Sequence, residues 1–209
     1  MENYQRALER YLAELDASGR VPRLLLHACC APCSSYVLEY LSRYFDITVF
    51  YYNPNISPES EYRHRVGELV RLVRDQPHAR AVSVVEGAYD PARFYEIAKG
   101  REDEPEGGER CFACYRLRLE QTARFASAEG FDCFTTTLSI SPHKNAEKLN
   151  AIGRELSEQV GVDYLFSDFK KKGGYARSIE LSREYGLYRQ DWCGCVFSKL
   201  ESETRRQSK

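Results

Sequence analysis

Three cysteines within five residues, Cys29, Cys30 and Cys33, follow the apolar run Leu24-Leu25-Leu26. A second group, Cys111 and Cys114, has Cys-x-x-Cys spacing, and a third, Cys193 and Cys195, brackets Gly194. Thiolates at such spacings bind soft metals, ligate iron–sulfur clusters or exchange disulfides. A Cys-x-x-Cys alone is ambiguous, because redox dithiols use the same spacing. Beside two further thiol groups it points to a metal. Cys133 differs: it lies inside the β-rich run 131–137 and reads as a core residue. Seven thiols remain, and a single tetrahedral metal or cubane cluster takes four. Three are left for a second metal, for redox chemistry or for no role.

The elements around these thiols read as α/β. Arg23–His27 is a buried strand, and Pro32 sits at the first turn of the helix that follows, where a missing N–H costs nothing. That junction is the carboxyl end of a strand, where α/β sheets bind ligands. It carries thiols in place of the glycines that would cradle a phosphate. Further strands are expected at 46–52, 81–86, 131–137 and 163–166. Helices are expected on 4–18, from Val66, Leu69, Val70 and Val73, at 90–99, at 109–130, from Leu149, Ile152, Leu156 and Val160, and after Gly174. Alternation of strands and helices predicts a mainly parallel sheet with helices on both faces. One domain is expected: a peripheral N-terminal helix (1–20), a catalytic core (23–198) and a frayed tail (199–209). Residues 100–108 read as a mobile loop or a lid.

The chain has 209 residues and a net charge of −1, so no global basic field marks a polyanion partner. Nucleic-acid binding then needs local patches. Lys170, Lys171, Lys172 and Arg177, around Gly173-Gly174 at a helix start, suit a phosphate. Arg63 or Arg65 facing the cleft is a second option. Hydroxyls, His143 and Lys144 after the fourth strand read either as substrate contacts or as helix capping. No run is long enough to span a membrane, and the charged N-terminus lacks a signal-peptide core. A cytoplasmic location follows, where cysteines serve as metal or redox groups more than as disulfides.

Five ordered segments carry a resemblance to a known family. They are His27-Ala28-Cys29-Cys30-Ala31-Pro32-Cys33, Tyr52-Asn53-Pro54-Asn55-Ile56, 111–118 from Cys111 to Arg118, 136–142, and 188–198 from Tyr188 to Ser198. Together they resemble the QueH family of epoxyqueuosine reductases. The resemblance implies reduction of epoxyqueuosine to queuosine in the tRNA anticodon by an external electron donor. It also implies a 4Fe-4S cluster with an adjacent metal, expected to be iron, on a fold related to adenine-nucleotide alpha hydrolases. Tyr52, Asn53 and Arg65 then join the lysines and Arg177 as expected substrate-binding residues, and Asp191 joins the expected catalytic set. Tyr51, Tyr52 or Trp192 could stack on the base.

Adjacent residues in a strand point apart, so Cys29 and Cys30 are expected at different centres. Cys111 and Cys114 share a helix face and one centre. The expected allocation places Cys29, Cys111, Cys114 and Cys193 on the cluster, and Cys30, Cys33 and Cys195 at the second metal. Two other functions compete. A tRNA-thiolating ATP pyrophosphatase would need a glycine-rich phosphate loop, and 28–34 contains no glycine. A non-catalytic zinc module binding nucleic acid would use the same thiols.

Overall fold

The computed structural model describes residues 3–207. Five strands form one sheet in the order β3-β2-β1-β4-β5. They are β1 (Arg23–His27), β2 (Asp46–Tyr51), β3 (Val82–Glu86), β4 (Cys133–Thr136) and β5 (Asp163–Tyr164), all in parallel register with their neighbours. The helices are α1 (Tyr4–Ser18), α2 (Ala31–Leu41), α3 (Glu59–Asp75), α4 (Pro91–Ala98), α5 (Glu109–Ala128), α6 (Ala146–Val160), α7 (Gly174–Glu184) and α8 (Val196–Gln207). The expected α/β class holds.

Period-two alternation in β1 divides the core. Leu24 and Leu26 pack with Leu38, Val49 and Phe45 on one face, while Leu25 packs with Phe50, Leu119 and Phe134 on the other. Both faces are covered, as an all-parallel sheet requires. The N-terminal helix α1 docks Leu8, Leu12 and Leu15 into the first core and ends at Gly19 in the left-handed conformation.

Several boundaries differ from the expected ones. The fourth strand stops at Thr136, and Thr137–Ile140 form a 3₁₀ turn capped by the Thr136 hydroxyl, which accepts from Leu138 N–H at 3.1 Å. Asp90 precedes α4 without a side-chain capping bond. The segment expected to fray is helical through Gln207, because α8 is tied back to the body. Arg110 donates to Glu201, while Ser202 and Arg206 donate to Asp191. The remainder of that tail expectation, 208–209, and residues 1–2 of the N-terminal one lie outside the described residues. Among the described residues no helix is long and apolar enough to cross a membrane.

Strand order reverses between β1 and β4, so the cleft at their carboxyl ends is a topological switch point. Cys133 sits at the opposite end, paired with Leu24 and Asp163, and is 1% exposed in the apolar core. Burial pushes its thiol far up, so it stays protonated. Cys133→Ser should cost about 1–3 kcal/mol, the penalty of a buried hydroxyl. A lower melting temperature, with metal uptake by the other seven cysteines unchanged, is the expected result. Loss of metal on this substitution would count Cys133 among the ligands.

Candidate metal centre

The loop after β1 enters α2 directly. Cys30 precedes the helix in an extended conformation, with Pro32 in the first turn. This turn gathers the Cys29, Cys30 and Cys33 sulfurs within 4.8 Å of one another. Cys29 and Cys30 sulfurs are 3.8 Å apart, so the two side chains converge where divergence is expected. Strand alternation ends with β1 at His27 and does not govern the loop.

The loop is held by buried polar residues. His27 Nε2 lies 3.1 Å from the Tyr52 carbonyl, which only accepts, so Nε2 carries the proton. Nδ1 then accepts from the Thr136 hydroxyl at 2.9 Å. Burial, with the Arg118 charge, lowers the His27 pKa to about 4 and keeps the ring neutral. It is a tie between β1, β2 and β4. Asn53 donates to the Ala28 carbonyl at 2.8 Å and accepts from Arg118 at 3.4 Å. Its role is to brace the thiol loop. Tyr52 stacks on Phe50 in the core and Tyr51 packs against Tyr62, so neither ring lines the cleft. Trp192 does line it, beneath the Arg65 guanidinium.

A second thiol set forms where the start of α5 meets the loop before α8. Cys114 and Cys195 share an apolar cluster with Cys193 against it. Cys193 is close enough to Cys111 to add to the rise that burial gives the Cys111 thiol. Gly194 takes φ +118°, and a Cβ there would come within 2.7 Å of Ile56, so only glycine makes this turn comfortably. The turn brings Cys193 and Cys195 sulfurs to 3.5 Å. N–H groups already point at these sulfurs: Gly107 donates to Cys111 at 3.2 Å and Ser198 to Cys195 at 3.4 Å.

Each set holds one thiol poised as a thiolate. Cys29 is pushed well down by hydrogen bonds from Cys30 and Cys33, with help from the Thr137 hydroxyl. Cys193 is pushed well down by its hydrogen bond from Cys195 and by the Lys144 charge. The neighbours move the other way. Cys30 rises to about 12 beside Cys29, and burial lifts Cys114 to about 11. With one thiolate-ready member in each and the rest mostly buried thiols, both sets have the donor chemistry of a soft metal.

Cys29, Cys30, Cys33 and Cys193 line one cavity of about 840 Å³, the size of a nucleoside-scale ligand site. Sequence reasoning missed five of its charged residues, Glu106, Arg118, Arg189, Arg205 and Arg206; Glu106 pairs with Lys144 at 2.9 Å. Glu106 brings the 100–108 loop to the cleft wall. Asp191 lines the mouth, held as a carboxylate below its usual range by Arg206 and Ser202. Arg65 lines it too, paired with Glu61 at 2.7 Å and donating to the Cys193 carbonyl at 3.2 Å. Arg63 instead pairs with Glu59 and Glu86 on an exposed face.

The expected basic patch is largely neutralised. Lys170 pairs with Asp168 at 2.7 Å, Lys172 with Glu9, and Arg177 with Glu39 at 2.7 Å. Lys171 has no ion pair among the described residues and is exposed. Glu9 and Glu39 come from α1 and α2, far away in sequence, which is why the run looks free in the chain alone.

Fold and cleft define an all-parallel α/β protein with thiols at the switch point, the place where open α/β sheets bind their ligands. The sequence model described as "Epoxyqueuosine reductase QueH" matches residues 24–201. A protein of that name from Staphylococcus epidermidis is 43% identical over 203 residues, covering 95% of this chain and 85% of its own. Its namesake from Streptococcus pyogenes serotype M1 is 41% identical, covering 94% of this chain and 78% of its own. The Thermotoga maritima namesake is 40% identical, covering 85% and 91%. The chain belongs to the QueH family of epoxyqueuosine reductases.

Proposed function

We propose that the chain reduces epoxyqueuosine in tRNA to queuosine, with seven of its cysteines divided into two metal-binding sets in and beside the cleft. Cys111, Cys114, Cys193 and Cys195 hold a 4Fe-4S cluster, and Cys29, Cys30 and Cys33 hold an adjacent metal that suits soft donors and that the family resemblance implies to be iron. The observation that carries this reading is a sulfur-only group, Cys29, Cys30 and Cys33, lining one nucleoside-sized cavity with Cys193, whose neighbours Cys114 and Cys195 pack in the cluster behind it. Four thiols complete a cubane, and three leave a position open to a ligand. This division replaces the one expected from sequence: Cys29 and Cys195 exchange places.

Opening an epoxide to an alkene consumes two electrons and two protons, and the oxygen leaves as water. When bound, the cluster supplies single electrons and the neighbouring metal a Lewis-acid position. The chain's residues do the rest. Lys144 holds a proton at Nζ inside the cleft: burial opposes its charge, but Cys193, Tyr115 and Glu106 outweigh it and hold the pKa up. Its side chain is 8% exposed, so that proton is shielded from bulk water. Trp192 offers a ring face to the base, and single-stranded anticodon loops are what such pockets read. Asp191 keeps Arg206 against the mouth.

Phosphates of the anticodon loop are best met by Arg189 and Arg205. Both line the cavity, are exposed, and have no carboxylate partner among the described residues. Replacing both with Ala should weaken tRNA binding and reduce the salt slope of log K by about 0.7 for each phosphate that the variant leaves unneutralised. Replacing Lys170, Lys171 and Lys172 should do less, because two of them already have acidic partners. A greater weakening from the lysine variant, in filter binding across a salt series, would return the phosphate-binding role to 170–172.

The function is tested by incubating anaerobically purified protein with epoxyqueuosine tRNA and dithionite, without ATP. Nucleoside mass spectrometry should record loss of one oxygen from the modified base. A colourless, zinc-loaded protein without this activity would support the zinc module, and a requirement for ATP would support the pyrophosphatase.

A further inference from the structure

Three arginines are buried in this fold, and they differ in one respect. Arg65 is paired with Glu61 and Arg110 with Glu201, each by a charged hydrogen bond. Arg118, 4% exposed, has no carboxylate partner among the described residues. Its Nε donates to the Cys114 carbonyl at 3.2 Å, and Nη1 to the Asn53 side-chain oxygen at 3.4 Å. The Tyr115 ring centroid lies 5.9 Å from its guanidinium carbon. These are neutral acceptors. A buried cation with only neutral acceptors is costly, and such charges are found where an anion compensates them.

The compensating anion is identified by where Arg118 sits. It lines the cleft together with Cys29, Cys30, Cys33 and Cys193. Through the Cys114 carbonyl it touches one thiol set, and through Asn53, which also holds the Ala28 carbonyl, it touches the loop of the other. Burial opposes its charge, while the Cys114, Cys29 and Cys193 sulfurs, from both sets, sustain it.

We infer that Arg118 is the counter-cation shared by the two thiol sets, and that its charge raises the reduction potential of the cluster held by Cys111, Cys114, Cys193 and Cys195. This rests on the division of thiols proposed above. The physics is direct. One-electron reduction adds negative charge to a centre that thiolates have already made anionic. A fixed cation nearby, in a medium of low dielectric, stabilises the more negative state. Arg is the side chain for this position because it cannot lose its proton and because its planar fork reaches both sets of acceptors at once. Asn53 is the partner that aims it. Arg118 is a positioning and tuning residue: it sets the energy at which an electron arrives and touches no reacting atom.

The test is a dithionite titration with redox mediators under anaerobic conditions, following the visible absorbance and the EPR signal of the reduced cluster. Arg118→Gln keeps hydrogen-bonding capacity and removes the charge. It should shift the one-electron reduction equilibrium at least tenfold against reduction, a fall of about 59 mV or more in midpoint, with iron and sulfide content as in the wild type. Arg118→Lys keeps the charge and should recover at least half of that shift. If the Gln variant takes up no iron, Asn53→Asp sets a carboxylate against the guanidinium in place and must lower the midpoint in the same direction. A midpoint within twofold of the wild-type equilibrium in an iron-replete neutral variant overturns the inference while leaving the thiol assignment standing. A wild-type protein that assembles no iron–sulfur cluster overturns the thiol assignment itself, and the inference with it.

Discussion

Cys114→Ala leaves a protein that binds no acid-labile sulfide, shows no visible chromophore and turns over epoxyqueuosine tRNA at least about a thousandfold more slowly. Changing only an outer partner of a metal ligand typically costs 10–100-fold, and removal of a ligand exceeds that. Cys114 has the burial of a core residue, 7% exposed, yet it faces Cys195 in a small cluster beside the cleft. Alanine there removes little apolar surface. The fold should survive, with a circular dichroism spectrum and melting transition close to those of the metal-free wild type. Sulfide retained at wild-type levels, with activity intact, would remove Cys114 from the ligand set. It would also break the pairing with Cys111 one helical turn earlier on α5.

Cys30→Ser has an equally large effect on turnover and a different effect on composition. Cys30 stands at the start of α2, its carbonyl accepting from the Ser34 hydroxyl at 2.8 Å, so serine can keep the backbone geometry. What changes is the donor: a hydroxyl is harder than a thiolate and does not ionise near neutral pH. Colour and sulfide should stay at wild-type levels, total metal should fall by about one ion per chain, and turnover should drop by about a thousandfold or more. Parallel metal analysis, sulfide assay and nucleoside mass spectrometry read all three. Loss of sulfide together with the metal would place Cys30 on the cluster.

Much of this is legible in the chain itself. The apolar run 24–26, the Pro32 helix start and the strand–helix alternation each have a local cause, so β1, α2 and the parallel sheet can be read without the fold. Cys133 is separable from the other seven for the same reason, since it lies within a strand. Three features are not legible, each because its cause is non-local. The division of thiols depends on a turn outside the strand, where alternation no longer applies, and on Gly194 bringing Cys193 and Cys195 together. The run 170–172 looks basic in sequence, yet Glu9 and Asp168 pair with two of its lysines. The last helix looks polar and unanchored until Asp191 and Arg110 are seen to hold it. Arg118 is visible as a motif residue, but its lack of a carboxylate partner is a property of three dimensions.

The central claim is that one cleft holds two separate thiol sets, Cys29 with Cys30 and Cys33, and Cys111 and Cys114 with Cys193 and Cys195. Cys29 and Cys195 decide it, because the allocation expected from sequence assigns each to the opposite set. The measurement is acid-labile sulfide and iron per chain in Cys29→Ser and Cys195→Ser, purified side by side without oxygen. Cys195→Ser should lose its sulfide and colour, while Cys29→Ser should keep both and lose only the additional metal. Sulfide lost from Cys29→Ser and retained in Cys195→Ser would contradict the account.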